Sequence, residues 1–271
     1  MARTPRPTPA AHAPSVLPVD VRLMNGVATG IFVVAGLAAV AAAVHWMTRA
    51  PMFTIRAIEI DGELARNSVA TIRANAMPNL RGNFFSVDLQ AGRAAFESVP
   101  WVRHAVVRRI WPNRLAVRLE EHHAAAIWKG EDGNERLVNT EGEVFDANVG
   151  DVEDEDLPVF AGPDGTSDAM LALYRRIVPV FRQLDMDIET LHLSGRGSWR
   201  VAFDNGATVE LGRGSEAEVQ ARSERFVRTL GQVTGRYRQP LEYADLRHAD
   251  GYAVRLRGVT TTATPAKTTV N

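Results

Sequence analysis

Gly212, Gly214 and Ala217 stand in a GxGxxA spacing, the pattern in which glycines let a backbone approach a pyrophosphate at a helix N-terminus. That chemistry needs a parallel strand–helix–strand unit. Here Trp199, Val201 and Phe203, then Asn205-Gly206, then Ala207, Val209 and Leu211 read as an antiparallel hairpin. Glu216 and Glu218 stand where phosphate would sit, and Ser215 with Glu218 fits a helix capping box. Nucleotide binding is therefore not expected. The seven histidines offer no better site: His122 and His123 are adjacent at a strand end, so their side chains diverge and cannot easily share a metal. Neither HExxH nor GxSxG occurs, and no carboxylate pair stands apart from the solvated charges. The acidic run Asp151 to Asp156 lacks the glycine and terminal glutamate of a calcium loop and reads as a solvated loop. The expectation is a protein that performs no chemistry and needs no cofactor and no metal.

Composition narrows the remaining classes. The 31 basic and 32 acidic residues nearly cancel, so no net field draws the chain to nucleic acid. Cysteine is absent, which removes disulfides, thiolate catalysis and cysteine metal sites together. A hydrophobic share of 45% against 23% charged residues is that of globular protein, so disorder of the whole chain is excluded.

The elements that would position any binding surface follow from the patterning. Residues 1–25, rich in proline among alanine and threonine, are expected to be a disordered tail. Residues 26–47 carry no formal charge and are long enough to cross a hydrocarbon core of about 30 Å at about 1.5 Å per residue. A cleaved signal peptide is the competing reading. The length of the run and the polar stretch before it argue against that. Arginines balance on the two sides, so placing the short tail in the cytoplasm rests on the common arrangement in which the long region is translocated.

Residues 52–121 read as strand, helix, helix, strand, strand, with Asn67 or Ser68 and Asp88 as helix caps and Pro112-Asn113 as a turn. This makes a compact α+β module, expected to fold alone. Residues 122–257 read as short strands flanked by amphipathic helices near Thr166 to Leu184 and Ser215 to Val233. The last strand, Tyr252 to Arg257, is expected to have an open edge, with Tyr252, Val254 and Leu256 toward the core and Ala253, Arg255 and Arg257 away. An acidic strand could add there, with the amide of Ala253 or Arg255 facing it. Residues 258–271 read as a flexible tail.

Trp101-Val102-Arg103 through Ile110-Trp111-Pro112-Asn113 to Leu119-Glu120-Glu121, then Leu157-Pro158 with Gly162-Pro163-Asp164-Gly165, resemble segments of the bacterial cell-division FtsQ (DivIB) family. Leu211-Gly212-Arg213-Gly214 and Tyr243-Ala244-Asp245-Leu246-Arg247 extend the resemblance in the same order, over roughly residues 20–257. The resemblance implies a fold of one N-terminal transmembrane helix, a POTRA domain (β-α-α-β-β) and a mixed antiparallel β domain with flanking helices. It also implies a non-enzymatic scaffold of the inner membrane at the division septum. Its N-terminus would be cytoplasmic and its C-terminal region periplasmic, and it would link division proteins on the two sides. The implied partners are FtsB and FtsL. The implied contact residues are Tyr243, Arg247, His248, Asp250, Gly251, Tyr252, Val254 and Leu256 around the last two strands, together with Arg196. The alternative is another membrane-anchored POTRA protein, of secretion or outer-membrane assembly, which would be expected to repeat the module or continue into a barrel.

Overall fold

The computed structural model describes residues 19–62, 65–80, 82–248 and 251–259. Helix α1, Val19–Arg49, begins seven residues before the expected start at Gly26, so residues 19–25 are helical rather than part of a loose tail. Its stretch Asp20–Met47 is long and apolar enough to cross a membrane, and its most apolar window is not buried against the protein.

The first module contains β1 (Ala57–Gly62), α2 (Val69–Ala76), α3 (Leu89–Glu97), β2 (Val102–Ile110) and β3 (Arg114–Glu121). Ser68 and Asp88 cap the helices as their types demand. The Ser68 hydroxyl accepts from the Thr71 amide, and the Asp88 carboxylate accepts from Gln90 and Ala91. The strand order is β1-β3-β2, with β1 parallel to β3 and β2 antiparallel to it. Alternation along β3 sends Leu115, Val117 and Leu119 inward, and Val117 and Leu119 pack with Ile72, Ala76 and Phe96 from the two helices.

The second region is a nine-stranded mixed sheet. Its strands are β4 (Ala124–Lys129), β5 (Glu135–Asn139), β6 (Val144–Phe145), β7 (Val159–Ala161), β8 (Ile188–Leu193), β9 (Trp199–Phe203), β10 (Thr208–Gly212), β11 (Leu241–Asp245) and β12 (Ala253–Leu256). They lie in the order β12-β11-β10-β9-β8-β7-β4-β5-β6. Helices α4 (Ser167–Phe181) and α5 (Glu216–Tyr237) pack on the sheet and on each other, burying Ile177, Phe181, Phe226 and Leu230 against Leu191, Val201, Phe203 and Val209. The pairings β4–β7, β7–β8 and β10–β11 are parallel, so the sheet is less antiparallel than the alternation suggested.

The third parallel pairing corrects the argument against the GxGxxA segment. Strand β10 does form the hairpin with β9, yet α5 also carries the chain across to β11, parallel to β10. A strand–helix–strand unit is therefore present. What excludes a phosphate is the occupancy of the helix start. Ser215 and Glu218 form the capping box, and the Glu218 carboxylate fills the space beside Gly214.

The two regions share a junction. Trp101 adopts φ +70° and buries its ring with Leu137, Phe145 and Val152 of the second region. The ring meets Phe145 edge-on at 5.3 Å, its Nε1 donates to Asp151 at 3.0 Å, and the Arg66 guanidinium lies over it at 5.0 Å. Arg66 also pairs with Glu155, so the acidic run 151–156 is a docking segment and not only a solvated loop. Buried Glu121 accepts from the amides of Ala65, Arg66 and Asn67 and holds that loop against β3. Arg103 bridges Glu120 at 2.7 Å and Glu143 at 2.8 Å, and this pairing holds the Glu143 carboxyl below the usual carboxylate range. His122 stacks flat on Phe145 at 4.0 Å, and burial lowers its pKa.

Candidate partner-binding surface

The surface grows from the last hairpin of the sheet. Strands β11 and β12 pair antiparallel, Tyr243 with Arg255, Ala244 with Val254 and Asp245 with Ala253, with a bulge between Leu241 and Tyr243. Strand β12 ends the sheet, and among the described residues no strand lies on its outer side. Its side chains alternate as expected. Val254 and Leu256 turn toward α5 and the core, and Ala253 and Arg255 are exposed.

The direction of the amides differs from the expectation. The Arg257 amide donates inward to the Pro240 carbonyl at 3.0 Å. In an antiparallel pair the N–H and C=O of one residue point to the same side and neighbours alternate. Arg255 and Ala253 therefore share the inward direction of Arg257 and bond β11. The groups open to a partner are those of Tyr252 and Val254 together with the amide of Leu256, whose carbonyl already accepts from the Val259 amide at 3.2 Å.

Two clefts run beside this hairpin and a basic pocket lies farther in, all bounded by α5. A cleft of about 840 Å³ is lined by Val233, Arg236, Tyr237, Val254, Leu256 and Val259. A second, of about 400 Å³, lies between Arg225, Phe226 and Thr229 of α5 and His248, Gly251 and Tyr252. The pocket, of about 390 Å³, is lined by Arg196, Arg213, Arg222 and Arg247 with Ser194 and Ser198. Arg222 donates to the carbonyls of Leu211 and Arg213 and so fixes the β10–α5 loop. Arg247 grips Asp245 through two hydrogen bonds, at 2.6 Å and 2.9 Å. That grip lowers the Asp245 pKa to about 2 from its ordinary 3.8.

The expected contact residues thus fall in one region with different roles. Arg196 and Arg247, far apart in sequence, line the same basic pocket. His248 and Gly251 line the middle cleft with Tyr252. The Tyr252 hydroxyl bonds Thr229 at 2.6 Å and its ring meets Phe226 edge-on at 5.0 Å, so it forms a fixed wall. Tyr243 lies on the opposite face under the Arg255 guanidinium, 5.7 Å from the ring centre. Leu256 is only 5% exposed, so it offers its backbone and the rim of a cleft rather than a free side chain. Asp250 lies outside the described residues.

The wall contributed by α5 was missed in the sequence. Its signal was available: Val233 and Tyr237 continue the buried stripe of Phe226 and Leu230 at helical spacing, yet Tyr237 is 53% exposed. An apolar stripe that outruns its core leaves a face to be covered. Arg222 carries no sequence signal beyond its place in the amphipathic helix, and Arg213 enters only within the segment Leu211-Gly212-Arg213-Gly214.

Among the described residues no group of histidine, aspartate or glutamate side chains is arranged to hold a metal ion. Replacing Arg247 with alanine is expected to return the Asp245 pKa upward toward 3.8, measured by the carboxyl chemical shift against pH. A carboxyl whose folded pKa is depressed adds stability above its unfolded pKa and loses it as pH falls through the folded value. The parent should therefore show a loss of stability between about pH 4 and pH 2 that the variant lacks.

Comparison with known proteins places these features together. The family model for the C-terminal region of cell division protein FtsQ/DivIB matches residues 126–247, and that for the FtsQ-type POTRA domain matches residues 53–122. Cell division protein FtsQ of Thiomonas arsenitoxydans is 38% identical over 251 residues, covering 92% of each chain. That of Burkholderia pseudomallei is 41% identical over 241 residues, covering 89% of this chain and 94% of the relative. That of Bordetella pertussis is 39% identical over 255 residues, covering 88% and 92% respectively. The α+β fold, with its apolar N-terminal helix, POTRA module and mixed sheet, and the agreement of both family models with near full-length relatives lead to one assignment: the chain belongs to the FtsQ/DivIB family of cell division proteins.

Proposed function

We propose that this protein is a non-enzymatic scaffold of the division machinery. Helix α1 spans the cytoplasmic membrane, and the region after it lies outside the cytoplasm and docks FtsB, with FtsL held through the same assembly. The observation that carries the reading is the open edge of β12, beside which α5 forms a cleft lined by both apolar and charged side chains, with a four-arginine pocket farther in that shares Arg222 with the middle cleft. An extended partner segment can add to that edge through main-chain bonds while its side chains enter the clefts. Acidic side chains on the segment would find Arg196, Arg213 and Arg247, and rim charges of this kind speed and steer association more than they tighten it. Arginines beside the edge also discourage indiscriminate strand pairing.

The reading gives the domains distinct tasks. The POTRA module, residues 52–121, orients the sheet above the membrane, and residues 122–257 present the docking edge. The clefts at that edge are open troughs, which suits an extended peptide, and among the described residues lining them no carboxylates cluster and no histidine pair occurs. Depletion is expected to give undivided filaments, reversed by the parent and not by Arg247→Glu. Normal division on depletion would overturn the assignment of role, and rescue by Arg247→Glu would overturn the use of the arginine pocket.

A further inference from the structure

The most exposed large aromatic side chain outside α1 belongs to Trp111, 73% exposed at the tip of the β2–β3 hairpin. Nothing in the docking surface uses it. A tryptophan left in water at a hairpin tip has lost the apolar contact that its ring favours, and its N–H makes it suited to a boundary that is apolar on one side and wet on the other. The location of the tip identifies that boundary. Strand β1 begins beside the start of β3, Ala57 opposite Arg114, so the chain leaving α1 enters the module at the same end as the tip.

Hydrogen bonds fasten the two together. The Asn83 side chain donates to the carbonyl of Met47, the last residue of the apolar stretch, at 3.0 Å. The Phe84 amide donates to Phe53, and the Arg56 amide donates to Asn113 at 3.0 Å. Asn113 reaches back to the Met52 carbonyl at 3.5 Å. Met52 is only three residues beyond Arg49, the end of α1, a span of at most about 11 Å. The headgroup layer of a bilayer adds about 5–8 Å on each side of the hydrocarbon. Met52 and Phe85, 56% and 40% exposed, lie at the same end, with Phe85 packed edge-on against Phe53 at 4.9 Å. Exposed Arg108, three residues before Trp111, and exposed Arg56, whose amide bonds Asn113, lie beside the tip, where long cationic side chains could reach lipid phosphates.

We propose that Trp111, with Met52 and Phe85, is a second membrane contact: the hairpin tip sits in the phospholipid headgroup layer and sets the tilt of the POTRA module on the membrane. The inference rests on the reading of α1 as a membrane-spanning helix. A single helix followed by a short connection leaves the attached module free to swing, and a second point of contact removes that freedom.

The test uses the full chain in vesicles containing phospholipid brominated near the top of the acyl chain, which quenches indole at that depth. Trp101, Trp128 and Trp199 are buried in protein and form a constant background. Three proteins are compared: the parent, Trp46→Phe, and Trp46→Phe with Trp111→Phe, each checked by circular dichroism. The difference between the two variants isolates Trp111, and it is expected to lose the larger part of its emission in brominated vesicles. Unquenched Trp111 emission would overturn the proposal, and would point to a protein rather than lipid at the tip. The difference between the parent and Trp46→Phe isolates the helix. Loss of quenching there alone would overturn the spanning helix, while quenched Trp46 with unquenched Trp111 would keep the helix and overturn the second contact. Because the chain has no cysteine, a nitroxide on Trp111→Cys gives an independent depth: an oxygen-to-nickel-chelate accessibility ratio above that of a label at exposed Tyr237 supports lipid contact, and an equal ratio contradicts it.

Discussion

Replacing Val254 with proline is expected to abolish capture of the partner strand while leaving the protein folded. The Val254 amide points to the open side of β12, since the Arg257 amide, three residues on, bonds inward to Pro240. Proline there removes one donor that the docked strand needs and leaves a partner carbonyl without its bond, at a cost of about 2–3 kcal/mol, or about 30–150-fold in affinity. Proline is tolerated on an edge strand when the lost N–H faced solvent. Arg255→Pro is the contrasting variant. Its amide bonds β11 opposite Tyr243, so proline should break the native ladder and lower stability, by about 3 kcal/mol or more if it behaves as an interior proline. Titration of the protein with FtsB, the proposed partner, alongside urea denaturation, separates the two effects. Parent-like binding by folded Val254→Pro would place the docking strand elsewhere.

The second large effect is expected at Trp101. Its ring is buried between the POTRA module and the sheet, holding Phe145, Asp151 and Arg66 at once. Truncation to alanine leaves a cavity where a full indole stood, a loss of about 3–5 kcal/mol. At about 2–4 °C per kcal/mol for a region of this size, the unfolding temperature should fall by about 6–20 °C. The loss belongs to the junction. In a fragment of residues 51–121 the partners Leu137, Phe145 and Val152 are gone, so the same substitution should change stability little. A fall of equal size in the fragment would show that Trp101 serves the core of the first module instead.

Local chemistry was the most legible part of the sequence. Ser68, Asp88 and Ser215 cap the helices they were expected to cap, because a short polar side chain before an amphipathic run has few other uses. Asn205-Gly206 closes the β9–β10 hairpin, with Gly206 at φ +80°, for an equally local reason. Pairings that join distant segments were not legible. Strand β10 presents Val209 to the core whether its second neighbour is parallel or antiparallel, so alternation could not reveal β11 beside it. Nothing in the neighbours of Trp101 announces a left-handed backbone or a partner some 40 residues on.

The candidate surface divides in the same way. The inward turn of Val254 and Leu256 was legible from strand alternation. The direction of the amides was not, because side-chain periodicity says nothing about which of two neighbouring amides meets the existing strand. The arginine pocket assembles Arg196, Arg213, Arg222 and Arg247 from three loops and a helix, and only the resemblance to FtsQ proteins connected the first with the last.

Amide hydrogen exchange, residue by residue along β12 with and without FtsB, the proposed partner, tests the central claim most directly. In the free protein the Ala253 and Arg255 amides should already be protected by β11, and the Val254 and Leu256 amides should exchange as open edge groups. Addition of saturating partner should slow Val254 and Leu256 by at least about tenfold, the least that a bond worth about 1.4 kcal/mol would give. Binding that leaves the Val254 and Leu256 amides exchanging as fast as before would contradict strand addition at this edge.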